Sequence, residues 1–92
     1  MLESAALKPY LGQDVVVDTS SAYVYVGRLE QVDDHVLLLR DVDVHDNRET
    51  STSKDLYLIQ TKKFGVKKNR LEAAVLRSQV VSVSRLADVI EY

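Results

Sequence analysis

Gly27-Arg28-Leu29-Glu30-Gln31-Val32-Asp33-Asp34-His35-Val36-Leu37-Leu38 holds two strand-like runs joined by a short polar turn. Upstream of the turn, Ala22 to Val32 alternates. Tyr23, Tyr25 and Gly27 share one face, and Val24, Val26 and Arg28 share the other. Gly27 stands in mid-strand, where glycine marks a sharp bend or a close backbone approach. Asp33-Asp34 makes the turn. Downstream, Val36 to Val44 is apolar on both faces at first. It then alternates, Asp41 and Asp43 outward against Val42 and Val44 inward. A strand whose burial changes along its length suits a strongly bent small barrel.

Further strands flank this pair. Asp14-Val15-Val16-Val17-Asp18 is short and β-branched, and Thr19-Ser20-Ser21 follows it as a turn. Leu71 to Arg77 and Val80 to Ser84 form the last two strands, split by Ser78-Gln79. Residues 3–10 read as a short N-terminal helix, with Leu2, Ala6 and Tyr10 on one face. Pro9 places its end near Lys8, and Gly12 supplies the exit turn. His45 to Ser53 is a polar loop. A second helix is expected over Lys54–Phe64. Thr52-Ser53-Lys54-Asp55 offers an N-cap, Lys62 and Lys63 lie in the last turn, and Gly65 follows. The strand propensity of Leu56 to Gln60 is the competing signal. Val66 to Arg70 is a basic connector. The sum is a mainly β chain of five short antiparallel strands, with a helix before them and another inserted before the fourth.

Ninety-two residues make a single domain, 1–92, with a marginal core. There is no cysteine, so neither a disulfide nor a thiolate metal site supports it. Oligomerisation is the remaining route to stability. The apolar runs are far too short to span a membrane, and Met1-Leu2-Glu3-Ser4 has no signal-peptide character. A cytoplasmic protein with no membrane partner is expected. The net charge of −2 conceals an asymmetry: residues 1–50 carry −6 and residues 51–92 carry +4. In Lys62-Lys63-Phe64-Gly65-Val66-Lys67-Lys68-Asn69-Arg70, five of nine residues are basic. Such a segment can reach phosphates even in an acidic chain.

The run Gly27-x-Leu29-x-x-Val32-Asp33-x-His35-Val36-x-Leu38 resembles the first Sm motif. Val75-Leu76-Arg77-Ser78 resembles the centre of the second, which is apolar, Arg, Gly. The resemblance covers nearly the whole chain outside an insertion from about Asp46 to Arg70. It implies an Sm-like (LSm) fold. It also implies a homo-oligomeric ring, with the fourth strand of one subunit on the fifth of its neighbour and single-stranded RNA around the inner rim. Ring closure would remove two exposed sheet edges.

Carried over by position, the motif aspartate is Asp33, the base-stacking residue is His35 and the motif arginine is Arg77. The position of the uracil-reading asparagine holds Leu37, and that of the following glycine holds Ser78. Leucine neither donates nor accepts a hydrogen bond. The aliphatics after His35 are similar to those of the bacterial Hfq branch, although its Tyr-Lys-His signature is absent. The resemblance thus implies RNA contacts at Asp33, His35, Leu37, Arg77 and Ser78. Bases stacked between His35 and Arg77 would be bound with little preference for uridine. Lys62, Lys63, Lys67, Lys68 and Arg70 are candidate phosphate contacts.

Plainer roles compete with these. Asp33 and Arg77 can pair with each other and bridge two loops, and His35 can be a solvated turn residue. The basic run can be a solvated helix end, or can face a neighbour's acidic region. Tyr23 and Tyr25 read as barrel exterior or interface packing. Asp41, Asp43 and His45 recur at every second position and could face one metal, but a solvated strand face gives the same pattern. There is no nucleophile elbow, phosphate loop or metal signature, and no cofactor is implied. The expected protein is a non-catalytic RNA-binding ring. The runner-up is a ring-forming scaffold or protein-interaction module without the RNA site, which Leu37 and Ser78 favour. A hydrolase or metalloenzyme is a distant third.

Overall fold

A computed structural model describes residues 4–49 and 52–91. The chain begins with α1 (Ser4–Leu7), which tightens into a 3-10 turn over Lys8–Tyr10. Pro9 explains the change, because it has no N–H to continue an α-helical ladder. The expected helix thus has its described part in two pieces, while Leu2 and Glu3 lie outside the described residues. Five strands follow: β1 (Asp14–Thr19), β2 (Tyr23–Val32), β3 (Val36–Asp46), β4 (Arg70–Leu76) and β5 (Val80–Arg85). Helix α2 (Lys54–Phe64) is inserted between β3 and β4. A 3-10 turn, Arg77–Gln79, joins β4 to β5, and another, Leu86–Asp88, follows β5.

The strands form one antiparallel sheet in the order β4-β3-β2-β1-β5. β3 runs two residues past its expected end, because the long β2 still offers partners there: Val24 pairs with His45 and Tyr23 with Asp46. The bend expected at Gly27 is built from both strands. Arg28 pairs with Arg40 but Val26 pairs with Asp43, so β3 carries an extra residue opposite Gly27. Asp41 takes up the irregularity with a φ of 53°. A Cβ on Gly27 would lie 3.1 Å from both the Arg40 oxygen and the Val42 Cα. Glycine is there because the neighbouring backbone occupies that space.

Strand alternation sends apolar residues to both faces of the sheet. Val15, Val17, Leu29, Leu37, Leu39, Val42 and Val75 form one buried cluster. Val16, Val24 and Val26 point the other way and meet Leu58 of α2 and Leu86. The insertion therefore supplies the cover for a second core. Its start is set by Ser53, whose side chain accepts from the Leu56 N–H, and its end by Gly65 at a φ of 93°. Lys54 pairs with Asp18. At the far end, Lys62 Nζ donates to the Val89 oxygen at 2.6 Å, and Lys63 lies 3.7 Å from Glu91.

Both tyrosines are expected on the barrel exterior or in interface packing; for Tyr25 the exterior alternative does not hold. Tyr25 is partly buried against the first cluster, on the same side as Tyr10. Tyr23 is exposed, and the Arg48 guanidinium lies 5.8 Å from its ring centre. β2 alternates as read, but its tyrosine face belongs to the inner cluster while α2 covers its valine face.

Candidate nucleic-acid interface

The β2–β3 turn and the β4–β5 turn sit side by side. Asp33 organises the first. Its Oδ1 accepts from the N–H groups of His35 and Val36, both at 2.8 Å. These two bonds hold its carboxyl below the ordinary carboxylate range, with the nearby His35 and Arg77 charges adding to them. The turn closes through Asp33 N–H to the Val36 oxygen at 3.1 Å. His35 is thereby fixed in backbone while its side chain stays exposed.

Arg77 ties the second turn to the first. It opens the 3-10 turn after β4, which ends at Leu76, one residue earlier than the expected strand end at Arg77. Its N–H donates to the His35 oxygen at 2.9 Å, and its Nη1 to the Asp33 oxygen at 2.8 Å. The side chain is 6% exposed. The bridging role considered for Asp33 and Arg77 is therefore present, with the Asp33 main chain as acceptor. Ser78 is exposed on the same turn.

Leu37 is different. It is 0% exposed and belongs to the first core cluster with Val75. Its pairing with Val75 across β3 and β4 turns both side chains inward. Its side chain therefore faces the core and not the surface of the turn.

The basic segment does not converge on the His35 turn. Lys62 and Lys63 are engaged with the C-terminal tail, as above. Lys68 lies 3.4 Å from Asp41, and Arg70 Nη1 donates to the Asn69 oxygen at 2.9 Å. Lys67 lines a cavity beside α2. All four lysines and Arg70 lie on or just after α2, so any phosphate they hold is at the insertion.

The Asp41, Asp43 and His45 pattern is also resolved. Among the described residues, no group of three His, Cys, Asp or Glu side chains is placed to hold a metal. Asp41 reaches Arg28 and Lys68. Asp43 accepts from the Tyr57 hydroxyl at 2.5 Å and from Asn69 Nδ2 at 3.2 Å. The His45 ring stacks on Tyr57, with centroids 3.8 Å apart and planes 8° from parallel. Burial and the Asp43 carboxylate both push the Tyr57 hydroxyl above its ordinary range, so it stays a proton donor. This cluster docks α2 on β3. Only its alternation was visible in the sequence; Tyr57 and Asn69 sit too far along the chain for spacing to connect them.

No protein-family model matches the sequence. A comparison with curated proteins likewise gives no match. Solved structures do match. A Pyrococcus abyssii Sm protein in complex with a uridine heptamer is 19% identical, with a TM-score of 0.63, over 92% of this chain and 99% of that one. A heptameric archaeal Sm protein is 20% identical, with a TM-score of 0.56, over 89% and 97%. A chain of the NatC complex bound to CoA is 21% identical, with a TM-score of 0.58, over 92% and 86%. The fold is the Sm-like fold, as the two motifs implied. No helix among the described residues is long and apolar enough to cross a membrane.

Proposed function

We propose that this chain is a non-catalytic, ring-forming RNA-binding protein that works by holding single strands. The observation that carries the reading is an exposed histidine on a pinned turn. His35 projects from a loop fixed by Asp33 and fastened to Arg77. An aromatic plane on a rigid support binds a base at low entropic cost. The Arg77 guanidinium brings a positive charge to the same pair of turns, and Ser78 is exposed on the second of them. The ring is supported by the sheet itself. β4 and β5 are its two edges, and Leu71, Leu76 and Val81 stand exposed on or at the ends of them. Edge pairing between copies satisfies the backbone and covers these side chains. The P. abyssii protein seen with a uridine heptamer and the heptameric archaeal protein share this fold. Uridine preference is weak here, because the position that would read the uracil edge is a core leucine. The native mass with and without nuclease, followed by titration with oligo(U) and oligo(A), tests the reading. A monomer that binds neither oligomer refutes it, and strong selectivity for U refutes the sequence-tolerant site.

A second reading keeps the ring and drops the RNA: a scaffold or protein-interaction module. The inward Leu37 and the nearly buried Arg77 favour it. So does the similar chain within the NatC complex. An assembly of unchanged mass and ultraviolet absorbance after nuclease, with His35→Ala and Arg77→Ala equal to wild type in RNA titrations, selects this reading.

A further inference from the structure

We infer that the cavity beside the C-terminal end of α2 is a second nucleotide subsite, one that takes a single amino-bearing base stacked on Phe64. The inference extends the RNA-binding reading to the insertion, but its evidence does not use the His35 turn.

The cavity is about 200 Å³ and is lined by Asp43, Tyr57, Gln60, Thr61, Phe64, Gly65 and Lys67. Pockets for drug-sized ligands run from about 300 to 1,000 Å³, so this one suits a single ring system. Phe64 forms its rim and is 77% exposed, the highest value among the large apolar side chains described. Gly65 ends the helix there and turns the chain away, so no further turn of α2 covers the ring. An exposed phenyl face beside a cavity of this size is a stacking platform that every base can use.

Charge around the rim suits the rest of a nucleotide. Lys67 is at the cavity, and Lys63 and Lys68 flank it in sequence. The ion pairs of Lys63 and Lys68 are long, 3.7 and 3.4 Å, and roughly half exposed, so a phosphate can displace them at little cost. The interior is the opposite. Asp43 Oδ1 and Oδ2 already accept from Asn69 and Tyr57, and an ionised carboxylate has lone pairs for further donors. It repels phosphate and the two carbonyl oxygens of uracil. It favours an exocyclic amine, as a carboxylate does with cytosine N4. Gln60 can donate or accept and so completes either an adenine or a cytosine edge. The subsite therefore selects adenine or cytosine over uracil, the reverse of what the uridine-binding relative suggests.

The test uses the full-length chain and three fluorescent pentanucleotides, A5, C5 and U5. Phe64→Ala is expected to weaken A5 and C5 about tenfold and U5 less than twofold, at unchanged assembly mass. Phe64→Trp keeps the platform and should retain the wild-type preference. Asp43→Asn should narrow the gap between A5 and U5. His35→Ala should weaken all three alike; if it changes none while Phe64→Ala still weakens A5, the inner-rim reading fails and this subsite stands. The inference is overturned if Phe64→Ala leaves A5 unchanged, if it weakens U5 as much as A5, or if wild-type protein binds no A5. It is also overturned if Phe64→Ala lowers the assembly mass, which would make Phe64 a contact between protein copies.

Discussion

Arg77 donates from Nη1 to the main-chain oxygen of Asp33 at 2.8 Å across 44 residues of sequence. This bond and the one from the Arg77 N–H to the His35 oxygen join the two turns that carry the candidate base-binding residues. Arg77→Ala removes a charge-assisted bond from a buried position and should destabilise the fold by about 1.5–3 kcal/mol. It should also weaken RNA binding beyond the loss of charge, since the His35 turn keeps only the main-chain bond from residue 77 and loses the side-chain one. Urea denaturation and oligonucleotide titration check both. RNA affinity equal to wild type in the folded variant would sink the link between the two turns.

Asp33 sets a pH dependence with a definite sign. Its folded pKa is lowered below the ordinary 3.8 by the His35 and Val36 N–H groups. The stabilisation it gives is present above the unfolded pKa and is lost as pH falls through the folded one. The turn should therefore be intact at neutral pH and loosen only below about pH 4. The His35 and Val36 amide shifts should move together with an apparent pKa under 3.8. Titration at a higher value would refute the assignment.

Leu37 separates the motif from the site. Leu37→Ala should cost about 2–5 kcal/mol, as a buried leucine truncation does. Leu37→Asn restores the residue type of the uridine readers but places an amide in the core. It should be at least as destabilising and should confer no preference for U over A. A gain of uridine selectivity in this variant would show that position 37 faces the ligand after all.

Gly27→Ala brings a methyl to 3.1 Å from main-chain atoms of Arg40 and Val42, which cannot swing aside as a side chain would. We expect a loss of about 1–3 kcal/mol in chemical denaturation. Stability within about 0.5 kcal/mol of wild type, the usual range for surface changes, would mean that the bend has room to spare.

The edges can be tested apart from RNA. Val81→Asp on β5 or Leu71→Asp on β4 puts an unpaired charge where two copies would meet. Each should give folded monomers by light scattering with an unchanged circular dichroism spectrum. Assemblies of wild-type mass would rule out edge pairing as the basis of the proposed ring.

Much of the architecture was legible because local signals agreed with the global fold. Pro9, Gly27, Asp33 and Gly65 each marked a break that the backbone makes. The two faces of β2 were legible as an alternation. Which face was inner was not, because that depends on where α2 lands 30 residues later. The site was half legible. His35 and Asp33 owe their places to a turn of four residues, and short turns are encoded locally. The burial of Arg77 and the contacts of Tyr57 with Asp43 and His45 depend on strand order, to which spacing is blind.

The insertion and the C-terminal tail hold each other down. Lys62 reaches the Val89 oxygen, Lys63 lies near Glu91, and Leu86 and Val89 pack in the cluster that Leu58 joins. Neither is therefore a free appendage of the sheet. A protease cut after Arg85 would unlatch the helix and leave Val16, Val24 and Val26 facing water. Residues 86–91 are thus the clasp on the outer layer, and a tag or fusion placed there would report on the helix as much as on the tail.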